Sequence, residues 1–577
     1  MKKIFFLFIL ITACKTEKRD SNFNFTTIFE KSQGTETATY PEVIQYYTEL
    51  AKAFPEVTIE AIGETDAGKP LHIVTWNPEK NFNFQEIRKN KQILFINNGI
   101  HPGESDGIDA TMLLFRDLVN RKIEIPKNTV LVTIPVYNVG GSLNRNSTTR
   151  TNQNGPKAYG FRGNARNYDL NRDFIKSDTK NAKTFAEIFH KVQPDVFIDN
   201  HVSNGADYQY TLTHLFTQHN KLGGDLGNYL HTNMMPNLEE KLAAKNWDIT
   251  PYVNVFNTVP ETGFSQFMDS PRYSTGYTTL FNTLGMMVET HMLKPYKQRV
   301  EGTYELMKSM LEITETEGKN IKALRTNANQ KLLANKTYPL NWKVDTTKAS
   351  ALHFKGFEGK RIASTVTGKD RLKFNNTKPF TKEVRYQNYF KPTDSVTIPR
   401  AYIIPQGWWH VMDLLQANQV EITELKNDTI IEVESYKIDA FETRKQAYEG
   451  HYPHYNTSVK SSTKNITFQK GDYIINTNQR ALRYLLETLE PQAPDSFFNW
   501  NFFDTILQQK EHFSPYVWED KAKALLARNP KLQIAFNTKK SYNKDFANNW
   551  YAQLDWLHKQ SENYEKAHLQ YPVYRIE

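Results

Sequence analysis

The chain has 577 residues, enough for a large catalytic domain and one or two further domains. Hydrophobic residues make up 39% and charged residues 23%, a balance that excludes a disordered chain. The net charge is +9, but Lys and Arg are spread along the chain without a basic block, which argues against a nucleic-acid partner.

There is one cysteine, so neither an intrachain disulfide nor a cysteine metal cluster can form. Met1-Lys2-Lys3 is basic, residues 4–11 are apolar, and Thr12-Ala13-Cys14 follows. The apolar run is too short to span a bilayer and reads as a secretory signal. Ile11-Thr12-Ala13-Cys14 resembles the lipobox of bacterial lipoproteins. That resemblance implies a signal peptide over 1–13, a lipidated Cys14 and a membrane held through that lipid. The protein is then exported and lipid-anchored in the bacterial cell envelope, in the periplasm or at the outer membrane. Residues 14–37 are polar and read as a tether.

Folding is expected to begin near Pro41. Val43, Ile44, Tyr47, Leu50 and Phe54 recur at helical spacing over 41–54. Residues 57–62 and 71–76 read as strands joined by the turn Asp66-Ala67-Gly68-Lys69-Pro70. Residues 93–96 form a short apolar strand, and Ala110, Leu113, Leu114 and Leu118 mark a helix after it. Between the two lies His101-Pro102-Gly103-Glu104. An imidazole and a carboxylate three apart on a turn can face one ion, although HxxE by itself is unspecific. Residues 130–136 are another strand, followed by a long polar loop over 142–167 with Arg145, Arg150, Arg162 and Arg166. Loops of that length in a compact domain are functional or disordered.

Residues 179–192 read as a helix and 196–199 as a strand ending at Asn200-His201. Asp199 and Asn200 are candidates for orienting that histidine. A helix is expected over 222–244, a buried strand over 286–288 leading to Glu289, and a helix over 295–316. Strands alternating with helices predict an α/β domain with a sheet covered on both faces. Chemistry in such sheets collects beyond the carboxyl ends of strands. His101 with Glu104, His201, and Glu289 all fall at such ends. Desolvation would raise the pKa of Glu289 and suit it to proton transfer. Arg172 offers a planar fork for a carboxylate, with Asn171 beside it.

The ordered set His101-Pro102-Gly103-Glu104, Leu170-Asn171-Arg172-Asp173-Phe174, His201 and Glu289 resembles the zinc metallocarboxypeptidase family typified by carboxypeptidase A. The resemblance covers roughly residues 40–320. It implies a mixed, largely parallel sheet flanked by helices and one Zn2+ held by His101, Glu104 and His201. It implies Glu289 as general base and Arg150 as the oxyanion-stabilising arginine, with Arg145 as the alternative. It further implies that Asn171 and Arg172 anchor the terminal carboxylate of a peptide substrate. The family's mobile tyrosine is assigned to Tyr277, with Tyr273 as the alternative.

Beyond about 330 the texture changes to short β-type runs with turn signals, which predicts a β-rich accessory domain. The expected division is a catalytic domain over 38–330, the accessory domain over 331–480 and a helical, aromatic-rich segment over 481–577. The leading function is hydrolysis of C-terminal peptide bonds. An amidase acting on cell-wall peptides or acylated amino acids is the alternative, and a non-catalytic binding protein on the same scaffold is the third reading.

Overall fold

The computed structural model describes residues 23–577. The signal peptide and Cys14 lie outside the described residues. The chain divides into two compact units, Met1–Ser395 with Ala417–Gln419, and Val396–Gln416 with Val420–Glu577.

The first unit is built on eight strands: β1 (Val57–Glu64), β2 (Pro70–Trp76), β3 (Gln92–Asn97), β4 (Thr129–Ile134), β5 (Val196–Val202), β6 (Leu212–Phe216), β7 (Ile249–Pro251) and, after the short β8 (Phe264–Ser265), β9 (Leu284–Thr290). Their order is β1-β2-β4-β3-β5-β9-β6-β7. The central strands β4, β3, β5 and β9 run parallel, and the β1–β2, β2–β4 and β6–β9 pairs are antiparallel. Parallel strands buried on both faces need continuous apolar runs. Accordingly β3, β4 and β5 are buried at every residue. Helices Tyr40–Ala53, Asp106–Val119, Lys180–Val192 and Tyr296–Ala334 complete the layers.

Several expectations need correction. The last of these helices has 39 residues, well past 316. Its alternating apolar and charged turns carry no Pro or Gly strong enough to stop it. The helix expected over 222–244 is broken into His219–Leu222, Gly224–Tyr229, a π turn at Leu230–Met234, and Met235–Ala243. Gly223, at φ +75°, interrupts the first turn.

The tether expected over 14–37 also differs where it is described. Residues 28–31 form a short helix closed by a Thr27–Glu30 capping box. Phe25 packs edge-on against Tyr46 and Phe29 against Tyr296, and Arg116 pairs with Glu30 at 2.6 Å. Three aromatic rings in a polar stretch were enough to dock it.

The chain does not divide at 330. β10 (Thr337–Val344), β11 (Ser350–Ala363), β12 (Asp370–Gln387) and most of β13 (Phe390–Thr397) belong to the first unit. β12 adds to β8, and the base of the β11–β12 hairpin buries Phe354, Val384 and Tyr386 against Tyr208, Val253 and Phe264. The second unit has a six-stranded sheet in the order β15-β18-β14-β19-β16-β17. Its strands are β14 (Ala401–Ile404), β15 (Thr423–Glu424), β16 (Thr429–Thr443), β17 (His454–Phe468), β18 (Tyr473–Asn476) and β19 (Gln570–Ile576). The segment expected to be helical from 481 onward therefore ends as a central strand. Before it, helices Pro515–Arg528, Pro530–Tyr542 and Trp550–His558 close on Trp518, Phe536, Phe546 and Leu554.

Among the described residues no helix is long and apolar enough to cross a membrane.

Candidate metal centre and catalytic site

β3 ends at Asn97, and the chain turns through His101-Pro102-Gly103-Glu104 before helix Asp106–Val119 begins. The Glu104 amide donates to the His101 carbonyl at 2.8 Å, which closes the turn and points both side chains the same way. His201 stands near the end of the neighbouring β5, paired in register with Glu289 on β9. Directly paired residues share a face of the sheet, so Glu289 points to the same side as His201.

One ligand atom each from His101, Glu104 and His201 lies within 4.8 Å of the others. His101 Nδ1 is 3.2 Å from Glu104 Oε1, and His201 Nδ1 is 3.0 Å from Glu104 Oε2. The far nitrogens are held by carboxylates: His101 Nε2 is 2.9 Å from Asp169 Oδ1, and His201 Nε2 is 2.9 Å from Asp199 Oδ2. Ser274 Oγ donates to the same Asp199 oxygen at 2.5 Å. All three cluster residues are 3% exposed. His101 Nδ1 is buried and has no hydrogen-bond partner among the described residues.

The electrostatics follow from this crowding. Burial works to raise the pKa of Glu104, but the adjacent His101 and Arg150 and the hydrogen bond with His201 outweigh it and hold the carboxyl well below its usual range. Burial opposes a charged His201, yet Asp199 and Glu104 lift it well above the ordinary imidazole value. Asp169 is largely but not fully buried; that burial works to raise it, and His101, Arg162 and Arg172 hold it low. Glu289 is half-buried, and its carboxylate has no hydrogen-bonded partner among the described residues. Burial pushes it up to about 8, with His201 pulling it down and Glu104 adding to the rise.

The long loop contributes two arginines. Arg150 Nη2 donates to Glu104 Oε1 at 2.7 Å and Nε to Gln153 Oε1 at 2.6 Å. Gln153 donates in turn to the Gly103 carbonyl at 2.8 Å. Arg162 binds Asp169 at 2.9 Å and lies 3.6 Å from Glu104. Gly103 is needed here, because a Cβ on it would stand 2.4 Å from Arg150 Cδ.

Arg145 does not reach the cluster. It donates to the carbonyls of Thr37, Ala38 and Ala158, at 3.4, 3.4 and 2.8 Å, and secures the segment before helix Tyr40–Ala53. Its expected role at the substrate is corrected on that ground.

Asn171 is buried, and its Oδ1 accepts from the Ser274 amide at 3.3 Å. Arg172 lies over the Tyr273 ring at 4.6 Å and 3.9 Å from Asp169. Tyr277 is fully buried among Phe174, Phe185, Phe189 and Phe281. It is a core aromatic, and the half-exposed Tyr273 is the tyrosine placed beside Arg172. Asn200 points away from His201, because neighbours on a strand alternate faces; its amide bonds Asn98 at 2.8 Å.

Sequence reasoning assigned no role to Asp169, Ser274, Gln153 or Tyr252. Asp169 was within reach as the carboxylate two places before Asn171. Tyr252 follows β7, and burial and then the nearby Glu289 raise its phenol above the ordinary value. No local pattern marks it.

Comparison with known proteins agrees with this arrangement. Residues 43–204 match the family model described as zinc carboxypeptidase. Carboxypeptidase 2 of Trichophyton rubrum is 22% identical over 447 residues, covering 70% of this chain and 72% of that protein. Carboxypeptidase 2 of Trichophyton equinum is 22% identical over 512 residues, covering 81% and 84%. Among solved structures, carboxypeptidase A from Helicoverpa armigera superposes with a TM-score of 0.37 at 16% identity, covering 49% of this chain and 74% of that one. The matched segment carries His101, Glu104, Arg150 and His201, and Glu289 lies beyond it. The chain is an enzyme that resembles these carboxypeptidases, and it carries β-rich and helical regions in addition to its mixed sheet.

Proposed function

We propose that the protein is a zinc-dependent carboxypeptidase that hydrolyses the C-terminal peptide bond of peptides with a free carboxylate. The observation that carries this reading is the convergence of His101, Glu104 and His201 beside Glu289. The residues fit a zinc ion. Two imidazole nitrogens and a carboxylate are the donor set of a catalytic zinc site. The buried His101 Nδ1 lies 3.2 Å from the Glu104 carboxylate without an aligned hydrogen bond, which leaves its lone pair open to a cation. Both histidines are braced from behind by carboxylates, the arrangement that fixes tautomer and ring orientation at metal sites. When bound, zinc supplies polarisation of the scissile carbonyl and a more acidic water.

The chain's own groups then divide the work. Glu289 takes a proton from the attacking water as its oxygen bonds the carbonyl carbon, and returns it to the leaving nitrogen as the C–N bond breaks. A cation in the adjoining cluster would draw the raised pKa of Glu289 back toward the ionised form that a base needs. Arg150, held by Gln153 above Glu104, supplies a donor for the developing oxyanion. Arg172 and Asn171 receive the terminal carboxylate, and Tyr273 stands next to Arg172.

Glu289→Gln is expected to lower kcat on an acylated dipeptide by about 10²–10⁴-fold while zinc stays bound. A variant that retains full turnover would remove the mechanism. Amidation of the substrate's carboxylate should abolish hydrolysis, and an amidated peptide cleaved at the same rate would favour the side-chain amidase instead.

The leader over 1–13 and Cys14 support export and a lipid anchor in the cell envelope. Cys14→Ser should move the protein from the detergent phase to the aqueous phase on Triton X-114 partitioning. An unchanged distribution would refute the anchor.

A further inference from the structure

The β11–β12 hairpin is anchored to the first unit at its base and along the 257–261 segment, where Arg361 donates to the Asn257 carbonyl at 2.9 Å. Tyr208 bridges Gly356 at the base and packs 4.1 Å from the ring of His291, two residues beyond Glu289. The hairpin therefore rises from the Glu289 side of the site. With about 3.4 Å per residue, Lys360 stands about 14 Å and Ala363 about 24 Å beyond Gly356.

Charge along the hairpin is uneven. Near the base each lysine has a carboxylate: Lys355 with Asp248 at 2.5 Å, Lys382 with Glu261 at 2.8 Å, and Lys378 with Glu358 at 3.4 Å. Farther out, residues 360–373 hold five cations (Lys360, Arg361, Lys369, Arg371 and Lys373) against the single carboxylate of Asp370. Lys360 is directly opposite Lys373, and Arg371 is opposite Ile362 on the same face. Among the described residues Lys360, Arg371 and Lys373 make no ion pair. Like charges set directly opposite destabilise a strand pair unless something neutralises them. A groove of about 500 Å³ is lined by Lys360, Lys373 and Lys378 against the one carboxylate of Glu358, already paired with Lys378, and by Ile362 and Asn375.

We propose that this groove receives an acidic stretch of the polypeptide substrate, upstream of the bond that is cut. The proposal rests on the carboxypeptidase reading and names its preferred substrate class. Cations alternating with apolar and amide groups along a concave strip suit an extended acidic chain, whereas a flat layer of lipid headgroups would not fill it. An extended chain spans at most about 3.3–3.6 Å per residue, so a substrate running along the hairpin sets residues about five to ten places upstream beside Lys360 and Lys373.

The test uses the full chain and three fluorescent peptides with one common C-terminal end. One carries an upstream glutamate tract, one a glutamine tract, and one stops short of either. At low salt the glutamate peptide should show a KM about tenfold below that of the glutamine peptide. The advantage should vanish in Lys360→Gln/Arg371→Gln/Lys373→Gln and at high ionic strength. Turnover of the short peptide should be unchanged in that variant.

Anisotropy of the same peptides on Glu289→Gln protein reads tract binding without hydrolysis. Failure of every peptide to be cleaved would remove the carboxypeptidase reading, while the anisotropy would still decide the groove. Equal binding of the two tracts, or a preference that survives the triple substitution, overturns the proposal. So does a triple variant that loses only its binding to phosphatidylglycerol vesicles, which would make the hairpin a membrane-facing element.

Discussion

At the scale of single residues, the site depends on groups that never meet substrate. His101 and His201 present Nδ1 to the same point because Asp169 and Asp199 hold each Nε2 at 2.9 Å. Carboxylates in that position raise the basicity of the ring and lock its tautomer. Asp199→Asn keeps the shape and removes the charge. It is expected to weaken zinc binding about 10–100-fold, read by competition with a chelating dye. An unchanged affinity would mean that Asp199 only fills space beneath Ser274 and His201.

At the scale of elements, the turn between β3 and its following helix and the loop over 142–167 form one device. Gly103 is the point where they touch, since Arg150 crosses directly over its Cα and Gln153 bonds its carbonyl. Gly103→Ala would put a methyl 2.4 Å from Arg150 Cδ and 3.0 Å from the Gly160 carbonyl. Arg150 must then leave Glu104. We expect kcat/KM to fall about tenfold or more, with a loss of about 1–3 kcal/mol from overpacking. Steady-state kinetics alongside a urea melt check this, and full activity would show that the Arg150 position is incidental. The β11–β12 hairpin makes a related point. Its strands were legible as β-type sequence, but their attachment to the catalytic unit rests on side-chain burial around Phe354 and Tyr386, far from any local motif.

At the scale of the whole molecule, the N-terminal segment joins the catalytic unit through a buried acid. Asp109 is fully buried and accepts from Tyr296 Oη, with Thr37 and Ala38 of the N-terminal segment close by. Burial pushes its pKa up to about 7 from 3.8, against the hydrogen bonds that favour the ionised form. The folded state therefore keeps a proton that the unfolded chain has released between pH about 4 and about 7. Stability from this group is highest below pH 4 and falls as pH rises through that window, by at most about 4 kcal/mol. In Asp109→Asn that fall should be missing from a plot of unfolding free energy against pH. Parallel curves for the two proteins would show that Asp109 is ionised when folded.

Legibility in the sequence varied with the range of the interaction. The strands at 93–96, 130–136 and 196–199 were readable because strands buried on both faces need unbroken apolar runs. The helix over 222–244 was misread because its spacing survives a Gly223 break and a π turn. β19 was missed because a Tyr- and Val-bearing stretch at the end of a helical region gains its strand form only from partners on both sides.

By itself the sequence determined which residue types stand at the ends of buried strands, and so the chemistry of His101, Glu104, His201 and Glu289. Periodicity and turn residues are local, and they act through neighbours a few positions away. Only the tertiary structure decided that Arg150 rather than Arg145 lies over the cluster, that Tyr277 is sealed in the core, and where the chain divides into two units. Those outcomes depend on packing between segments a hundred or more residues apart, where shape and burial choose among candidates that look alike along the chain.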